Sequence, residues 1–591
     1  MELTAEQKEI INTNHNLVIN AVAGSGKTTT LIAYAKSRTA GSRILYLAFN
    51  KTVKTEAIQK FTTAGLKHVK VETAHSLAYD RIIKNSDYQV VQGYNSYDLC
   101  EILGIKTADR QTDYVIASHV NKFISYFCNN SAVRVQELNY ADVISDAKAK
   151  TFVNNFYVQI EKYTREALAK MDKGEMAVTH DFYLKKFQLS NPVLKYDYIL
   201  FDEGQDASGA MLDVFLKQDA IKIIVGDTHQ QIYGWRYAIN SLQQVDFPVF
   251  NLSNSFRFND EVAFVANKIL SWKKHLKQPS TVNIIGAGTA EIGFTKATLG
   301  RTNLSLLLNA ISQWQNGVIK KIFFEGNINS YTFADEGASL YDVLSLYNNK
   351  PEKIKDKLIA GLKDMKELEE YIGKTEDNSL KMIVDVVKEF GNKLPSLINE
   401  LKSNHTTTKE EADMIFSTIH RCKGMEYDEV TLLNDFINEE KLKNYISKAG
   451  GDKITEQDRN RFAEEINILY VAVTRTKNKL KIPAEINPLK SIELAAPPAP
   501  MLTTTKRYQS RSYLDDFDIY EATVLKKELN IRNSKPGNYG KKWSEEDVDE
   551  AIHLFNKGGS LKEIAKRLSR GENGVRMKLI ELGLMGDDGQ F

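Results

Sequence analysis

Short apolar runs alternate with longer amphipathic segments along much of the chain, and this pattern predicts α/β domains built on parallel sheets. Strands that are buried on both faces of such sheets read as continuous apolar runs. The clearest predicted strands are Leu17–Ala21, Ile44–Phe49, Tyr198–Phe201, Ile221–Val225, Met414–Thr418 and Glu429–Leu433. Residues 77–194 and 327–409 lack this rhythm and are mainly helical, so we expect them to be insertions into the α/β cores.

The composition changes abruptly near Ala495, where the sequence reads AAPPAPMLTTT. A stretch rich in Pro, Ala and Thr is typical of a linker, and we place this linker at residues 491–540. Residues 541–591 then predict a small all-α module of three short helices. Ser560, followed three residues later by Glu563, forms a capping-box pattern at the start of the second of these helices.

Charge is unevenly spread over this C-terminal module. Its first helix is acidic, whereas its last two helices carry basic residues. The module resembles a Myb/SANT-like or helix-turn-helix unit, which implies that the third helix docks against a phosphate backbone. The residues predicted to contact DNA here are Arg567, Arg570 and Arg576. A protein-docking bundle with a solvated basic face is the alternative interpretation.

Composition limits the class of protein. A chain of 591 residues is too long for one core, and 42% hydrophobic with 26% charged residues is ordinary for globular domains. A net charge of +2 excludes a uniformly basic nucleic-acid-binding protein but allows local basic grooves. The three cysteines lie far apart, which excludes a zinc ribbon, an iron–sulfur cluster and a disulfide scaffold. Without a secretory signal or a membrane-spanning run, we expect a cytoplasmic protein of a bacterium or a phage that binds no membrane.

A glycine-rich segment, AVAGSGKT at Ala21–Thr28, lies between a predicted strand and a predicted helix. Glycines in such a loop let the backbone N–H groups surround a phosphate, and the start of the helix adds partial positive charge. Lys27 would reach the β- and γ-phosphates, and the Thr28 hydroxyl would bind Mg²⁺. The alternative is a glycine-rich turn that binds nothing. The predicted nucleotide-binding residues of this segment are Ala21, Gly24, Ser25, Gly26, Lys27, Thr28 and Thr29.

An acidic pair follows another predicted strand, because YILF is succeeded by Asp202 and Glu203. The carboxyl ends of strands in a parallel sheet lie beside such a phosphate loop. Asp202 would hold Mg²⁺, and Glu203 would orient and deprotonate the attacking water. Together, the loop and the acidic pair predict hydrolysis of ATP with Mg²⁺.

Further motifs resemble the UvrD/Rep/PcrA group of superfamily 1 helicases, and within it most of all the F-box DNA helicase branch, although no F-box precedes them here. The resemblance covers residues 1–485. Its motifs are LTAEQ (3–7), LAFNK (47–51), TAHS (73–76), VGDTHQQIYGWRYA (225–238), LSNSFRF (252–258), GRTN (300–303), STIHRCKGMEYDEV (417–430) and EEINILYVAVTRTKNKL (464–480).

The resemblance implies roles for individual residues. Gln7 would read the adenine edge, Phe256 would stack on the adenine, and Glu426 would lie near the ribose. Contacts to the γ-phosphate would come from Gln230, Arg257 and Arg475, the last two as arginine fingers. The implied DNA-contacting residues are Phe49, Asn50, Lys51, Thr73, His75, Tyr233, Trp235, Thr418 and His420.

The resemblance also implies two RecA-like domains with helical insertions. The expected boundaries are domain 1A at 1–76 and 195–245, insertion 1B at 77–194, domain 2A at 246–326 and 410–490, and a short insertion 2B at 327–409. Arginine residues from domain 2A would then complete an ATP site on domain 1A, so that hydrolysis is coupled to closure of the cleft.

The implied function is an ATP-dependent 3′→5′ DNA helicase that translocates on single-stranded DNA in repair, recombination or replication. The direction rests on QQIYGWR (230–236) and on the long insertion before the acidic pair, both similar to the 3′→5′ branch. Expected partners are single-stranded and tailed duplex DNA, and replication or recombination proteins through the C-terminal module. Two alternatives stay open: a DNA-dependent ATPase that remodels protein–DNA complexes, and an ATP-gated DNA sensor, for example in phage defence.

Overall fold

Two parallel β-sheets organise most of the chain in the computed structural model. The structure describes residues 2–278, 282–289, 293–333, 337–451, 454–489, 543–557, 560–570, 572–582 and 584. The chain divides into a long unit, residues 1–512, and a C-terminal unit, residues 513–591. The predicted linker at residues 491–540 lies outside the described residues.

The first sheet has six strands, and all of its pairings are parallel. In chain order they are β1 (Leu17–Ala21), β2 (Ile44–Ala48), β3 (Lys70–Thr73), β4 (Tyr198–Phe201), β5 (Ile221–Gly226) and β6 (Val249–Leu252). Their order across the sheet is β6-β1-β5-β4-β2-β3. Four helices accompany it: Ala5–Ile11, Lys27–Lys36, Lys51–Thr63 and Gly209–Leu216. We call this sheet with these helices, residues 2–73 and 195–252, the first lobe.

The second sheet has five strands, which are again all parallel. They are β7 (Lys296–Gly300), β8 (Ile322–Phe324), β9 (Met414–Thr418), β10 (Tyr427–Leu432) and β11 (Thr476–Lys481), in the order β8-β9-β7-β10-β11. Its helices are Asp260–Leu270, Asn303–Gln315, Ile419–Cys422, Glu439–Lys448 and Glu456–Val473. We call residues 254–333 and 410–489 the second lobe. The predicted α/β architecture with parallel sheets is confirmed.

Each lobe carries one helical insertion, and the two insertions pack against each other. The helices of the first insertion are Ala74–Ala78, Ser96–Leu103, Arg110–Asn129, Ala147–Asp172 and His180–Leu189. Those of the second are Leu340–Tyr347, Lys357–Ala360, Met365–Thr375, Asn378–Phe390 and Leu394–Ser403. Between the insertions, Gln111 donates to the carbonyl of Glu367 at 2.9 Å, and the Glu376 carboxylate accepts from the Ser145 N–H at 3.0 Å. The insertions therefore form one continuous helical layer.

Several strands lie outside the clear apolar runs of the sequence. β6 extends the first sheet beyond the predicted boundary at residue 245, because Val18 to Ala21 pair with Val249 to Leu252. β11 reads TKNKLK and lies at the edge of the second sheet, where polar side chains remain in contact with water. Short two-residue pairings also occur, between Val90–Val91 and Val178–Thr179, Ala207–Ser208 and Ala238–Ile239, and Asn254–Ser255 and Ile285–Gly286.

The C-terminal unit contains the helices Glu545–Asn556, Leu561–Arg567 and Glu572–Glu581. Their small core contains Ala551, Ile564, Ala565, Leu568, Val575 and Leu579. The predicted capping box is confirmed, since Ser560 and Glu563 exchange hydrogen bonds at the start of the second helix. Among the described residues of the whole chain, no helix is both long and apolar enough to cross a bilayer.

Candidate active site between two lobes

Three neighbouring strands of the first sheet end at one place. β1 leads into the loop at residues 22–26, β4 into Asp202, and β5 into Asp227. Because β1, β5 and β4 are adjacent and parallel, these three segments leave the same edge of the sheet. Ligands of open α/β sheets bind at such an edge, where the chain direction across the sheet reverses.

The loop after β1 has the geometry of a phosphate-binding loop. Gly24 and Gly26 have φ angles of +75° and +77°, a region that favours glycine. A Cβ on Gly24 would lie 2.6 Å from Arg257 Cβ, so side chains larger than glycine are excluded there. The buried Ser25 hydroxyl has no hydrogen-bond partner among the described residues, which fits a loop built to enclose an anion. Thr28 is half-buried and Thr29 exposed on the first turn of the following helix.

Lys27 and Glu203 form a half-buried ion pair, with Nζ 2.7 Å from Oε1. Burial opposes the charge on Lys27, but the carboxylates of Glu203 and Asp202 raise its pKa. Burial likewise opposes the charge on Glu203, yet the cations Lys27 and Lys423 lower its pKa to about 2. Glu203 also has a φ of +53°, which is a strained conformation for a non-glycine residue. The carboxylate is thus ionised and held in place by its surroundings.

Gln205 positions the second oxygen of Glu203, and sequence reasoning missed this residue. Its Nε2 donates to Glu203 Oε2 at 2.5 Å, while its Oε1 accepts from the Asp227 N–H at 3.1 Å. Gly226 allows this approach, because a Cβ there would lie 2.1 Å from Gln205 Oε1. The signal was present in the run DEGQD, which follows β4 directly.

Asp202 directly follows β4 and is 4% exposed. The Tyr46 hydroxyl donates to its Oδ2. Burial and the neighbouring charge of Glu203 raise the pKa of Asp202 to about 6. A carboxylate at this position, with the Thr28 hydroxyl on the adjacent helix, is a donor set that suits Mg²⁺.

The second lobe covers the phosphate loop. The Phe256 N–H donates to the Gly24 carbonyl at 2.9 Å. A Cβ on Gly26 would meet Gln7 Nε2 at 3.3 Å and the Phe256 ring at 3.9 Å, so those two side chains flank the loop. Gln7 is buried and bound to Thr30 Oγ1 at 3.0 Å. The residues predicted to recognise adenine are therefore brought together.

The two predicted arginine fingers lie close to each other but face differently. Arg257 donates to Glu426 Oε2 at 2.9 Å and to the Thr474 carbonyl at 3.0 Å. Arg475 is 1% exposed, and it donates to the carbonyls of Val471 at 3.0 Å and of Met425 at 3.1 Å. Burial and the charge of Arg257 lower the pKa of Arg475 to about 10. Arg475 thus donates within its own lobe, and its contact with the γ-phosphate stays a prediction.

A third set of contacts joins the lobes beside the acidic segment. Lys423 from the second lobe pairs with Asp206 and also donates to the Gln230 carbonyl at 2.5 Å. The Gln230 side chain donates to Asp227 Oδ2 at 2.8 Å. Burial raises the pKa of Asp206 to about 6, although Lys423 opposes this effect. The sequence prediction included Gln230 but not Lys423, Asp206 or Asp227.

Aromatic side chains form a surface patch above the lobes. Phe49 and Tyr233 stack with ring centroids 5.8 Å apart, and Trp235 is 57% exposed. The Tyr233 hydroxyl donates to the His420 carbonyl at 3.1 Å, and the His420 ring lies 3.0 Å from the Ile232 carbonyl. Four of the predicted DNA-contacting residues, Phe49, Tyr233, Trp235 and His420, are thereby brought into one patch that spans both lobes.

Some of the other predicted DNA contacts also take part in local structure. The Asn50 and Thr73 side chains accept N–H groups as helix N-caps, from Val53 and Ser76. Thr418 is only 8% exposed at the end of β9. Lys51 is exposed, and the His75 ring lies 4.0 Å from Asp181. Sequence motifs alone did not separate these capping residues from ligand-binding ones.

The basic residues of the C-terminal unit are not equivalent either. Arg570 is 6% exposed, pairs with Asp547 at 2.6 Å and lies over the Trp543 ring at 4.3 Å. Its prediction as a DNA contact is therefore wrong, because the guanidinium is part of the core of the unit. Arg567 is exposed and pairs with Glu550 at 3.1 Å, and Arg576 is half-buried.

A phosphate loop, an acidic strand end and a covering second lobe define a nucleotide site of the P-loop class. Residues 3–246 match the family model described as the UvrD/REP helicase N-terminal domain. This part of the chain is therefore similar to a UvrD/REP helicase N-terminal domain, and the predicted family resemblance is confirmed.

Relatives named as DNA helicases are similar over longer stretches. F-box DNA helicase 1 of Gallus gallus is 28% identical over 514 residues, which is 81% of this chain and 49% of that protein. F-box DNA helicase protein 1 of Schizosaccharomyces pombe is 28% identical over 540 residues, 83% of this chain and 58% of that protein. ATP-dependent DNA helicase PcrA of Staphylococcus epidermidis is 24% identical over 351 residues, 53% of this chain and 46% of that protein. The chain thus spans about half the length of these relatives.

Gly24→Ala should abolish tight binding of a fluorescent ATP analogue, because the added methyl group would displace Arg257 and Ser255. Gly41→Ala is the matched control, since Gly41 also has a positive φ of +89° but nothing lies within 4 Å of its Cβ position. We expect both variants to lose about 1 kcal/mol of stability in thermal unfolding from backbone strain, whereas only Gly24→Ala loses binding. Equal nucleotide affinity in the two variants would contradict the assignment of this loop.

Proposed function

We propose that the chain is an ATP-dependent DNA helicase that moves 3′→5′ on single-stranded DNA. One observation supports this most. The Lys27–Glu203 ion pair adjoins the phosphate loop, and Phe256 and Arg257 of the second lobe contact that loop. A site between two lobes can convert hydrolysis into relative movement of those lobes. The relatives' names support DNA as the substrate.

ATP binding would use both lobes. Gln7 and Phe256 would hold the adenine, the N–H groups of the phosphate loop would surround the phosphates, and Glu426 would approach the ribose. Thr28 and Asp202 would hold Mg²⁺, which when bound supplies positive charge to the phosphate oxygens. The ATP phosphates would also compete with Glu203 for the ammonium of Lys27.

This competition provides a means of activation. While it is paired with Lys27, the Glu203 carboxylate is a very weak base, because Lys27, together with Lys423 and Gln205, lowers its pKa to about 2. When Lys27 moves to the phosphates, Glu203 becomes able to accept a proton from water. The water oxygen would then bond to the γ-phosphorus as the bond to the bridging oxygen breaks, so that ADP leaves. Arg257 would stabilise the negative charge that develops, once ATP displaces it from Glu426.

The aromatic patch would bind the single strand. Phe49, Tyr233 and Trp235 offer ring faces on which bases stack, and such stacking is tolerant of sequence. The patch spans both lobes, so their movement during hydrolysis would move the strand. The 3′→5′ direction rests on the resemblance of residues 230–236 and of the first insertion to the 3′→5′ branch.

Glu203→Gln should retain ATP binding and lose at least about a hundredfold in the rate of hydrolysis, because the amide cannot accept a proton. Lys27→Ala should lose both binding and turnover. The measurements are DNA-stimulated phosphate release and titration with a fluorescent ATP analogue. Lys36→Ala, at the far end of the same helix, is the matched control for Lys27→Ala. Wild-type turnover by Glu203→Gln would refute the assignment of the base.

Strand displacement from partial duplexes should require a 3′ single-stranded tail. The same duplex with a 5′ tail, or with none, is the control for direction. Displacement only with the 5′ tail would reverse the proposed polarity. ATPase stimulation without any displacement would instead favour a remodeller of protein–DNA complexes, and nucleotide-dependent DNA binding without turnover would favour a sensor.

We further propose that the C-terminal unit is a Myb/SANT-like or helix-turn-helix module that contacts duplex DNA. Its helix pattern and the exposure of Arg567 support this proposal. The role assigned to Arg570 passes to Arg567 and Arg576, because Arg570 is buried against Asp547 and Trp543.

Removal of residues 495–591 should weaken binding to tailed duplex DNA while leaving single-strand-stimulated turnover nearly intact. Combined Arg567→Gln and Arg576→Gln should reproduce much of this loss, and the difference should shrink as salt rises because phosphate contacts release counterions. Lys557→Gln, an exposed residue at the end of the acidic first helix, is the control. Unchanged affinity of the truncated protein at low salt would favour protein docking.

A further inference from the structure

A buried lysine outside every sequence motif connects the second lobe to the acidic segment of the first. Lys273 lies in the short helix Ser271–Leu276 and is 6% exposed. Its Nζ lies 2.9 Å from Nδ1 of His229, which belongs to the first lobe. An ammonium group is costly to bury without a compensating partner. The position of Lys273 therefore calls for an explanation beyond packing.

His229 in turn contacts Asp227, which is 1% exposed. The His229 backbone N–H donates to Asp227 Oδ1 at 2.9 Å. The ammonium of Lys273 and the carboxylate of Asp227 attract each other across this contact, and this attraction opposes the effect of burial, which lowers the pKa of Lys273 to about 7. Burial alone raises the pKa of Asp227. Asp227 therefore makes the charge on Lys273 less costly to bury.

A second contact from the second lobe reaches the other carboxylate oxygen of Asp227. The Tyr470 hydroxyl donates to Asp227 Oδ2 at 2.8 Å and accepts from the Ala23 N–H of the phosphate loop at 3.4 Å. Tyr470 lies on the helix Glu456–Val473, and Arg459 of that helix donates to the Leu276 carbonyl at 3.2 Å. Lys273 and Tyr470 therefore lie on two helices of the second lobe that pack against each other.

We propose that Lys273 is a positioning residue and that, with Tyr470, it relays contact between the lobes to the groups that handle the γ-phosphate. Asp227 is the centre of this relay. Its carboxylate accepts a hydrogen bond from the side-chain amide of Gln230, and its backbone N–H donates to the side chain of Gln205. Gln205 in turn donates to the carboxylate of Glu203. Separation of the lobes would remove the contacts that hold Asp227. Gln230, which would contact the γ-phosphate, and Glu203, the proposed base, would then lose their alignment together. This inference rests on the proposed ATPase function.

Lys273→Met tests the relay, because it removes the ammonium and keeps the length of the side chain. We expect affinity for the fluorescent ATP analogue within about twofold of wild type and a decrease of roughly tenfold or more in DNA-stimulated kcat, since small misplacements of catalytic groups are costly. The melting temperature should stay within a few degrees of wild type, because the cost of burying the ammonium largely offsets its attraction to Asp227. Lys274→Met, an exposed neighbour on the same short helix, is the control and should match wild type in all three measurements.

Tyr470→Phe provides a second variant that keeps the ring and removes only the hydroxyl. It should lower kcat similarly, and the double variant should lose little more than either single one, since both act through Asp227. A merely structural role would lower kcat and melting temperature together. Multiplicative losses in the double variant, or wild-type kcat in Lys273→Met, would overturn the proposal.

Amide hydrogen exchange separates failure of the relay from failure of the proposed function. In Lys273→Met, peptides that cover residues 21–26 and 227–231 should exchange faster than in wild type, whether or not the protein hydrolyses ATP. If wild type lacks ATPase activity but exchange rises, the proposed function fails and the relay stands. If exchange in both peptides is unchanged, the relay fails.

Discussion

β1, β5 and β4 all end at one edge of the first sheet. The segments that follow these strands therefore place several carboxylates in one region that holds little water. Asp202, Glu203, Asp206 and Asp227 are all partly or fully buried there. Four carboxylates in such a space repel one another and lose hydration. The architecture around them follows from the need to compensate this charge, by Lys27 from the first lobe and by cations from the second.

The second lobe is therefore an electrostatic partner of the first as well as a cover. Lys423 reaches Asp206, and Lys273 lies near Asp227 across His229. Separation of the lobes would leave buried carboxylates without these cations, which is unfavourable. Binding of a nucleotide adds more negative charge at the same place. The balance between these charges makes lobe contact depend on what occupies the site, and this dependence is what a motor requires.

Sequence patterns predicted the parts of the site that are local along the chain. The phosphate loop and the acidic pair follow apolar strands, so the strand–loop–helix order identifies them. Lys273 had no such signal, because its partner lies 44 positions away and only the packing of the two lobes joins them. Asn50 shows the opposite limit: the LAFNK motif suggested a ligand contact, whereas the side chain caps a helix. Edge strands such as β11 were missed because a polar edge does not read as an apolar run.

Arginine residues of the C-terminal unit differ in role: the buried Arg570 stabilises the unit, whereas the exposed Arg567 can bind a ligand. The described residues of the C-terminal unit form three short helices with a small apolar core, and the Arg570–Asp547 pair with the Trp543 ring extends this core. A guanidinium group used in this way is unavailable to phosphate. Arg567 pairs on the surface, where water weakens the interaction, so a phosphate can replace Glu550 as its partner. Charge counts from sequence cannot make this distinction, because it depends on which arginine is solvated.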